Sequence, residues 1–169
     1  MVSLQHLNTL DQADFTLLLG GIYEHSPWVA SRAWPQRPFT SLIHLQAAMA
    51  GVLDAASADE RMGVIRAHPE LSGKAAVRSD LTDDSRSEQK GAGLDQCTPE
   101  EFVQLQEGNR AYGEKFGFPF IIAVKGLGRQ DIIAALQRRC SNSREVEIAE
   151  AVTQIHRIAG FRLGEKVGG

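Results

Sequence analysis

Four times in this chain a serine or threonine stands three residues ahead of a glutamate or glutamine: Thr9 and Gln12, Ser57 and Glu60, Ser85 and Glu88, Thr98 and Glu101. At that spacing the hydroxyl bonds a free N–H of a first helical turn while the longer side chain reaches back, so each pair reads as a helix start. Apolar residues then repeat at three-to-four spacing. After Thr9 they are Leu10, Phe15, Leu18, Leu19 and Ile22; after Thr40 they are Leu42, Leu45, Met49, Val52 and Leu53; after Ser57 they are Met62, Val64 and Ile65. Thr98 is followed by proline, which suits a first helical position, and opens a helix bearing Phe102, Leu105, Tyr112 and Phe116 that Gly117 stops. Residues 129–140 read as a short amphipathic helix, and residues 143–166 as a long one with Val146, Ala149, Val152, Ile155, Ile158 and Leu163 on its stripe. The stretch from Ser26 to Phe39, with three prolines and both tryptophans, reads as an irregular or short-helical connector.

Only Phe118–Gly126 breaks the helical pattern. It is an apolar run of strand character with no strong second strand to pair with. The expectation is therefore an all-α fold of about eight helices with one extended apolar segment. At 169 residues, with no repeat and no linker, the chain suits a single compact domain over 1–169. Its 43% hydrophobic content excludes disorder, and 18 basic against 21 acidic residues give no global pull toward nucleic acid or an anionic membrane. No apolar run approaches the roughly 20 residues of a membrane span. Cys97 and Cys140 are too few for a disulfide framework and lack metal-ligand spacing, which fits a reducing, cytoplasmic setting.

Four features have both a structural and a chemical reading. His68 precedes Pro69, which disfavours helix in the residue before it, so His68 sits at or just past a helix end; it is a satisfied structural histidine or an acid/base. Residues 82–89, Thr-Asp-Asp-Ser-Arg-Ser-Glu-Gln, are a solvated helix start, or a helix N-terminus whose N–H groups, with Glu88 and Gln89, receive a polar or anionic ligand. Arg162 falls seven residues after Ile155, on the stripe that the long helix should bury. It either snorkels out near the helix end or holds a carboxylate through two hydrogen bonds. The main chain of Phe118–Gly126 must place its N–H and C=O groups somewhere; neighbouring loops or a heterocyclic amide would satisfy them. No histidine pair has zinc-site spacing.

Taken together, Ala67-His68-Pro69-Glu70-Leu71, Ser85-Arg86-Ser87-Glu88-Gln89 and Phe116-Gly117-Phe118-Pro119-Phe120-Ile121-Ile122-Ala123-Val124-Lys125-Gly126 resemble the OHCU decarboxylase family in order and spacing. Ser26-Pro27-Trp28, Arg37-Pro38-Phe39 and Arg162 extend the likeness over nearly the whole chain. The family acts on 2-oxo-4-hydroxy-4-carboxy-5-ureidoimidazoline in urate breakdown. The resemblance implies an all-α homodimer that forms (S)-allantoin and carbon dioxide without cofactor or metal, and without nucleic-acid or membrane partners. It implies catalytic roles for His68, Glu88 and Arg162. Substrate contacts are implied at Pro69, Ser85, Arg86, Ser87 and Gln89, and along Phe120, Ile121, Ile122, Ala123 and Val124. The ending Gly168-Gly169 differs from a peroxisomal signal and implies a bacterial, cytoplasmic member.

That chemistry needs no borrowed electron sink, because the neighbour of the carbon that bears the departing carboxylate carries an imine. Two rivals make different predictions. A non-enzymatic helical scaffold would tolerate loss of His68, Glu88 and Arg162. A ureide hydrolase would use His68 to activate water and release no carbon dioxide.

Overall fold

The structure, a computed structural model, describes residues 1–72 and 81–168. Among the described residues there are nine α-helices: α1 (Leu4–Thr9), α2 (Gln12–Leu19), α3 (Trp28–Ala33), α4 (Leu42–Asp54), α5 (Ala58–Ala67), α6 (Asp83–Gly91), α7 (Pro99–Phe116), α8 (Arg129–Arg139) and α9 (Arg144–Lys166). Short 3₁₀ turns follow α3 at Trp34–Gln36 and α6 at Leu94–Gln96. The only sheet among the described residues is a parallel pair of two-residue strands, β1 (Val2–Ser3) and β2 (Val167–Gly168), with Val2 opposite Val167. No helix among the described residues is long and apolar enough to cross a membrane.

Two of the four expected capping boxes form. Ser57 N–H donates to Glu60 Oε2 and Glu60 N–H to Ser57 Oγ, each at 3.1 Å. Thr98 and Glu101 exchange the same two bonds at 3.0 and 3.2 Å. The other two do not form, because a neighbouring residue caps instead. Asp11 accepts from Asp14 N–H and starts α2, while Thr9 closes a preceding helix that the apolar pattern did not reveal. Thr82 accepts from Ser85 N–H and starts α6, which places Ser85 and Glu88 inside the helix.

The chain divides into two compact units, Met1–Ala67 with Ile155–Gly169, and His68–Gln154. In the first, Phe15 of α2 stacks on Phe39 at 5.8 Å between ring centroids, and the core continues through Leu19, Leu45, Met49 and Leu163. Leu18, expected on the apolar side of α2, faces solvent. The connector is helical in two short pieces. Trp34 Nε1–H donates to Leu10 O at 3.0 Å, and the Arg37 guanidinium lies over the Trp34 ring at 3.8 Å while donating to Asn8 O and Leu10 O.

The second unit gathers Tyr112, Phe116, Phe118 and Phe120 into one aromatic cluster, with Tyr112 at 4.5, 6.0 and 5.5 Å from the other three rings. Gly108 lets α7 approach α8: a Cβ there would stand 2.5 Å from Leu136 Cδ2. Gly117 ends α7 in the left-handed region at φ 78°, as its place after Phe116 predicts. Phe118–Val124 then runs without helix or strand, as expected for the lone apolar segment.

The expected stripe of α9 shifts in its first half. Val146 is 52% exposed, while Glu147, Ala151, Gln154, Ile155, Ile158, Ala159, Arg162 and Leu163 are buried. The true inner face starts at Glu147, because Glu147 and Gln154 each find polar partners inside the second unit.

Candidate active site

Pro69 does what its ring dictates: α5 ends at Ala67 and His68 stands one residue beyond it, 7% exposed. The turn that follows is held by side-chain amides. Gln89 Oε1 accepts from Ser72 N–H at 3.0 Å, and its Nε2 donates to Glu70 O at 3.5 Å. Asn109 Nδ2 donates to Leu71 O at 2.8 Å, and Gln106 Nε2 donates to Ser72 O. Ser72 itself is left-handed at φ 51°, costly for a residue with a Cβ, so the amides hold a turn that the local chain does not favour. Gln106 and Asn109 lie three apart on α7, facing the same turn from one helical stripe.

On α6, Ser85 and Gln89 are buried at i and i+4, Glu88 is half-buried, and Arg86 and Ser87 are exposed. Arg86 Nη1 lies 3.3 Å from Asp83 Oδ1, and its Nη2 donates to Leu81 O. Glu88 and Gln89 are the sixth and seventh residues of the helix. Gln89 uses its amide on the His68 turn.

In the extended segment Phe120, Ile121, Ala123 and Val124 are buried and Ile122 is half-buried. Protein groups satisfy several of its main-chain atoms. Arg139 Nη1 donates to Ile121 O at 2.6 Å, Ala123 N–H donates to Gln154 Oε1 at 2.9 Å, and Leu127 N–H donates to Val124 O. Arg139 in turn pairs with Glu147, its Nε and Nη2 at 2.9 and 2.8 Å from Oε2. Tyr112 O–H and Asn142 Nδ2 also donate to Glu147. Burial alone pushes the Glu147 carboxyl up, but the bonds from Arg139, Tyr112 and Asn142 outweigh it and hold the group below the usual carboxylate range. Burial, and then the Glu147 bond, push the Tyr112 phenol up, so it stays a donor.

In the first unit, Arg162 is buried. Its Nη1 lies 2.7 Å from Glu24 Oε2, which is also buried, and donates to Gly21 O at 3.3 Å. The guanidinium does not snorkel. Next to Glu24, Tyr23 O–H bonds His156 Nδ1 at 2.9 Å, and His156 Nε2 lies 3.0 Å from Asp54 Oδ1. Burial, with the Asp54 charge behind it, pushes the Tyr23 phenol up. Tyr23 therefore stays a neutral phenol.

The second unit thus contains His68, Pro69, Ser85 to Gln89 and Phe120 to Val124, and the first contains Arg162. Glu24, Gln106, Asn109, Arg139, Glu147 and Gln154 were not among the expected site residues. Four of them had no pattern to betray them, but Glu147 and Gln154 fall with Ala151, Ile158 and Arg162 on one helical stripe. Burial raises the thiols of Cys97 and Cys140, so neither is a ready thiolate nucleophile. Among the described residues no group of three or more His, Cys, Asp or Glu is arranged to hold a metal ion.

The family model of OHCU decarboxylase matches residues 8–164. A 2-oxo-4-hydroxy-4-carboxy-5-ureidoimidazoline decarboxylase of Haloferax volcanii is 41% identical over 98% of this chain and 96% of its own length. The mouse protein of the same name is 33% identical over 96% of this chain and 91% of its own. A uric acid degradation bifunctional protein of Bacillus subtilis is 41% identical, and this chain covers 33% of it. Among solved structures, an (S)-allantoin synthase superposes with a TM-score of 0.76 at 30% identity, over 98% of this chain and 54% of that one. An OHCU decarboxylase crystallised in the presence of (S)-allantoin has a TM-score of 0.69 at 20% identity, a likeness of fold. With a matching model that spans residues of both compact units and relatives alike from end to end, the chain belongs to the OHCU decarboxylase family.

Proposed function

We propose that the chain is a cofactor-independent carboxy-lyase that converts 2-oxo-4-hydroxy-4-carboxy-5-ureidoimidazoline to (S)-allantoin and carbon dioxide in urate breakdown. The observation that carries this reading is the 41% identity, over almost the full length of both chains, to a relative bearing that name. The match across residues 8–164 supports one working domain over 1–169. A cytoplasmic homodimer is the assembly we assign to it.

In the substrate, C4 carries the hydroxyl and the carboxylate, and C5 carries the ureido group and an imine bond. The C4–carboxylate bond breaks, its electron pair forms a C4–C5 double bond, and the imine nitrogen takes the displaced pair with a proton. The enol then gives up its hydroxyl proton as C5 gains one, leaving the C4 carbonyl of allantoin. The protein must align the carboxylate out of the ring plane and protonate one face of C5. His68 is the acid/base, the side-chain type best suited to proton exchange near neutral pH, buried one residue beyond the end of α5. Glu88 holds the His68 tautomer or grips the hydroxyl and ureido groups. Arg162 takes the carboxylate, its guanidinium charge oriented by Glu24. Pro69, Ser85, Arg86, Ser87 and Gln89, with Phe120 to Val124, form the substrate contacts, of which Gln89 acts mainly through the turn it clamps.

The test generates the labile substrate in place with urate oxidase and hydroxyisourate hydrolase, adds this protein, and follows carbon dioxide and the optical activity of allantoin. Accelerated release of carbon dioxide with optically active product supports the reading. Ureide consumption without carbon dioxide would make the protein a hydrolase, and racemic product at the spontaneous rate would leave it a binding module.

A further inference from the structure

The reaction uses no charge on Arg139 or Glu147, yet both residues are buried, at 5% and 0% exposure, and Arg139 bonds the Phe120–Val124 segment, which is neither helix nor strand. We infer that Arg139 and Gln154 are positioning residues for substrate recognition, fixing the Phe120–Val124 main chain through Ile121 O and Ala123 N–H. The inference rests on the reading of that segment as substrate-contacting.

Among the described residues the segment has no strand partner, and side chains hold it in place. Two of them hold it at points two residues apart, Arg139 Nη1 on Ile121 O at 2.6 Å and Gln154 Oε1 on Ala123 N–H at 2.9 Å. Ile122, the one half-buried residue of the five, lies between the two fixed points. Each holding group is itself held. The Arg139 guanidinium lies 4.6 Å from the Phe120 ring centroid and is clamped by Glu147, whose carboxylate also receives Tyr112 and Asn142. Gln154 Nε2 donates to Glu150 Oε1 at 2.7 Å, which sets the amide so that its oxygen, not its nitrogen, faces Ala123.

A buried ion pair is a weak source of stability, because desolvation offsets much of its attraction. Its physical strength is directional. A charged fork bonded on two sides has one orientation, and it transmits that orientation to Ile121 O. Hydrogen bonds to a flat heterocycle weaken steeply with misalignment, so a segment that reads the ring has to be placed to within a fraction of an ångström.

The experiment compares Arg139→Lys, Gln154→Met and Ile122→Asp with the wild-type chain. Each is measured for (S)-allantoin affinity by calorimetry, for KM and kcat on the substrate formed in place, and for thermal unfolding. Lysine reaches Glu147 or Ile121 O but not both, and methionine keeps the volume of Gln154 without its acceptor. Both variants are expected to weaken (S)-allantoin binding and raise KM by fivefold or more, with kcat within about threefold and product still (S). Loss of melting temperature with unchanged KM and (S)-allantoin affinity in both would overturn the inference and make the network purely structural. If Arg139→Lys fails to fold, Gln154→Met alone decides it in the same way. Ile122→Asp tests the underlying reading separately. Unchanged binding in that variant removes the segment from the substrate site, whereas weakened binding there with unaffected Arg139 and Gln154 variants sinks the positioning role alone.

Discussion

Arg162 Nη1 lies 2.7 Å from Glu24 Oε2, and the two side chains are 3% and 1% exposed. A guanidinium so deeply withdrawn from water requires a counter-charge, and removing one member of such a pair typically costs about 3–5 kcal/mol because the other is left buried and uncompensated. Glu24→Ala should therefore lower the unfolding free energy by about 3 kcal/mol in urea titrations and reduce kcat/KM at the same time. Arg162→Lys keeps the charge and loses the fork. The expected loss is at least about tenfold in kcat/KM, equivalent to about 1.4 kcal/mol of transition-state stabilisation. Wild-type kinetics in the lysine variant would confine the Glu24–Arg162 pair to a role in folding.

His68→Asn isolates proton transfer from binding. Asparagine retains a polar, hydrogen-bonding side chain of smaller size but has no proton to exchange near neutral pH. Turnover should fall by about 10²–10⁴, the usual worth of general acid–base catalysis, while (S)-allantoin binding and the far-UV circular dichroism spectrum stay close to wild type. A variant that keeps most of its turnover would take His68 out of the mechanism.

Helix content was legible because capping and apolar spacing are local signals, and Thr98-Pro99-Glu100-Glu101 forms the box that its spacing dictates. Where two cap-forming residues lie close together the sequence could not choose between them: Asp11 displaces Thr9, and Thr82 displaces Ser85. The stripe of α9 was misread for a different reason. Periodicity counts apolar residues, and Glu147 and Gln154 face inward only because Arg139, Tyr112 and the main chain of Ala123 meet them there. The same limit hid Glu24, whose partner lies 138 positions further along the chain. The place of His68 at a helix end was legible from Pro69, whereas Gln89, read as a ligand group, clamps the turn that follows, and its partners Gln106 and Asn109 on α7 left no signal.

Asn109 is the cleanest probe of that turn. It is buried, donates to Leu71 O at 2.8 Å, and has no other hydrogen bond from its side chain among the described residues. Asn109→Asp replaces the donor with an oxygen facing a carbonyl, so the turn after His68 must shift. Displacing an acid/base by about 1 Å can cost about 10²-fold in rate. The expected result is a kcat lowered by at least about tenfold with KM changed far less, whereas Asn109→Ser, which can still donate, should recover part of the loss. Equal kcat in all three proteins, with only melting temperatures differing, would show that the clamp does not set His68.

Glu147 makes the stability of the second unit depend on acid in a definite direction. Its carboxyl titrates below the ordinary value of 4.5 in the folded chain, since Arg139, Tyr112 and Asn142 outweigh the effect of burial. Below that value the unfolded chain binds the proton first, so stability that is fully present above about pH 4.5 is lost as pH falls through the folded value. Glu147→Gln removes the titration and leaves the Arg139 charge without its partner. The variant should be the less stable protein at neutral pH, and the gap should narrow as pH falls below about 4.5 and the wild-type carboxylate is protonated. Other depressed carboxylates, among them Glu101 beside Arg129, contribute the same slope to both proteins and cancel in the difference. Urea unfolding of the pair across that range measures the gap directly. A gap that stays constant on acidification would mean that Glu147 is not ionised in the folded chain, and the charge-assisted fork that holds Ile121 would then be a neutral contact.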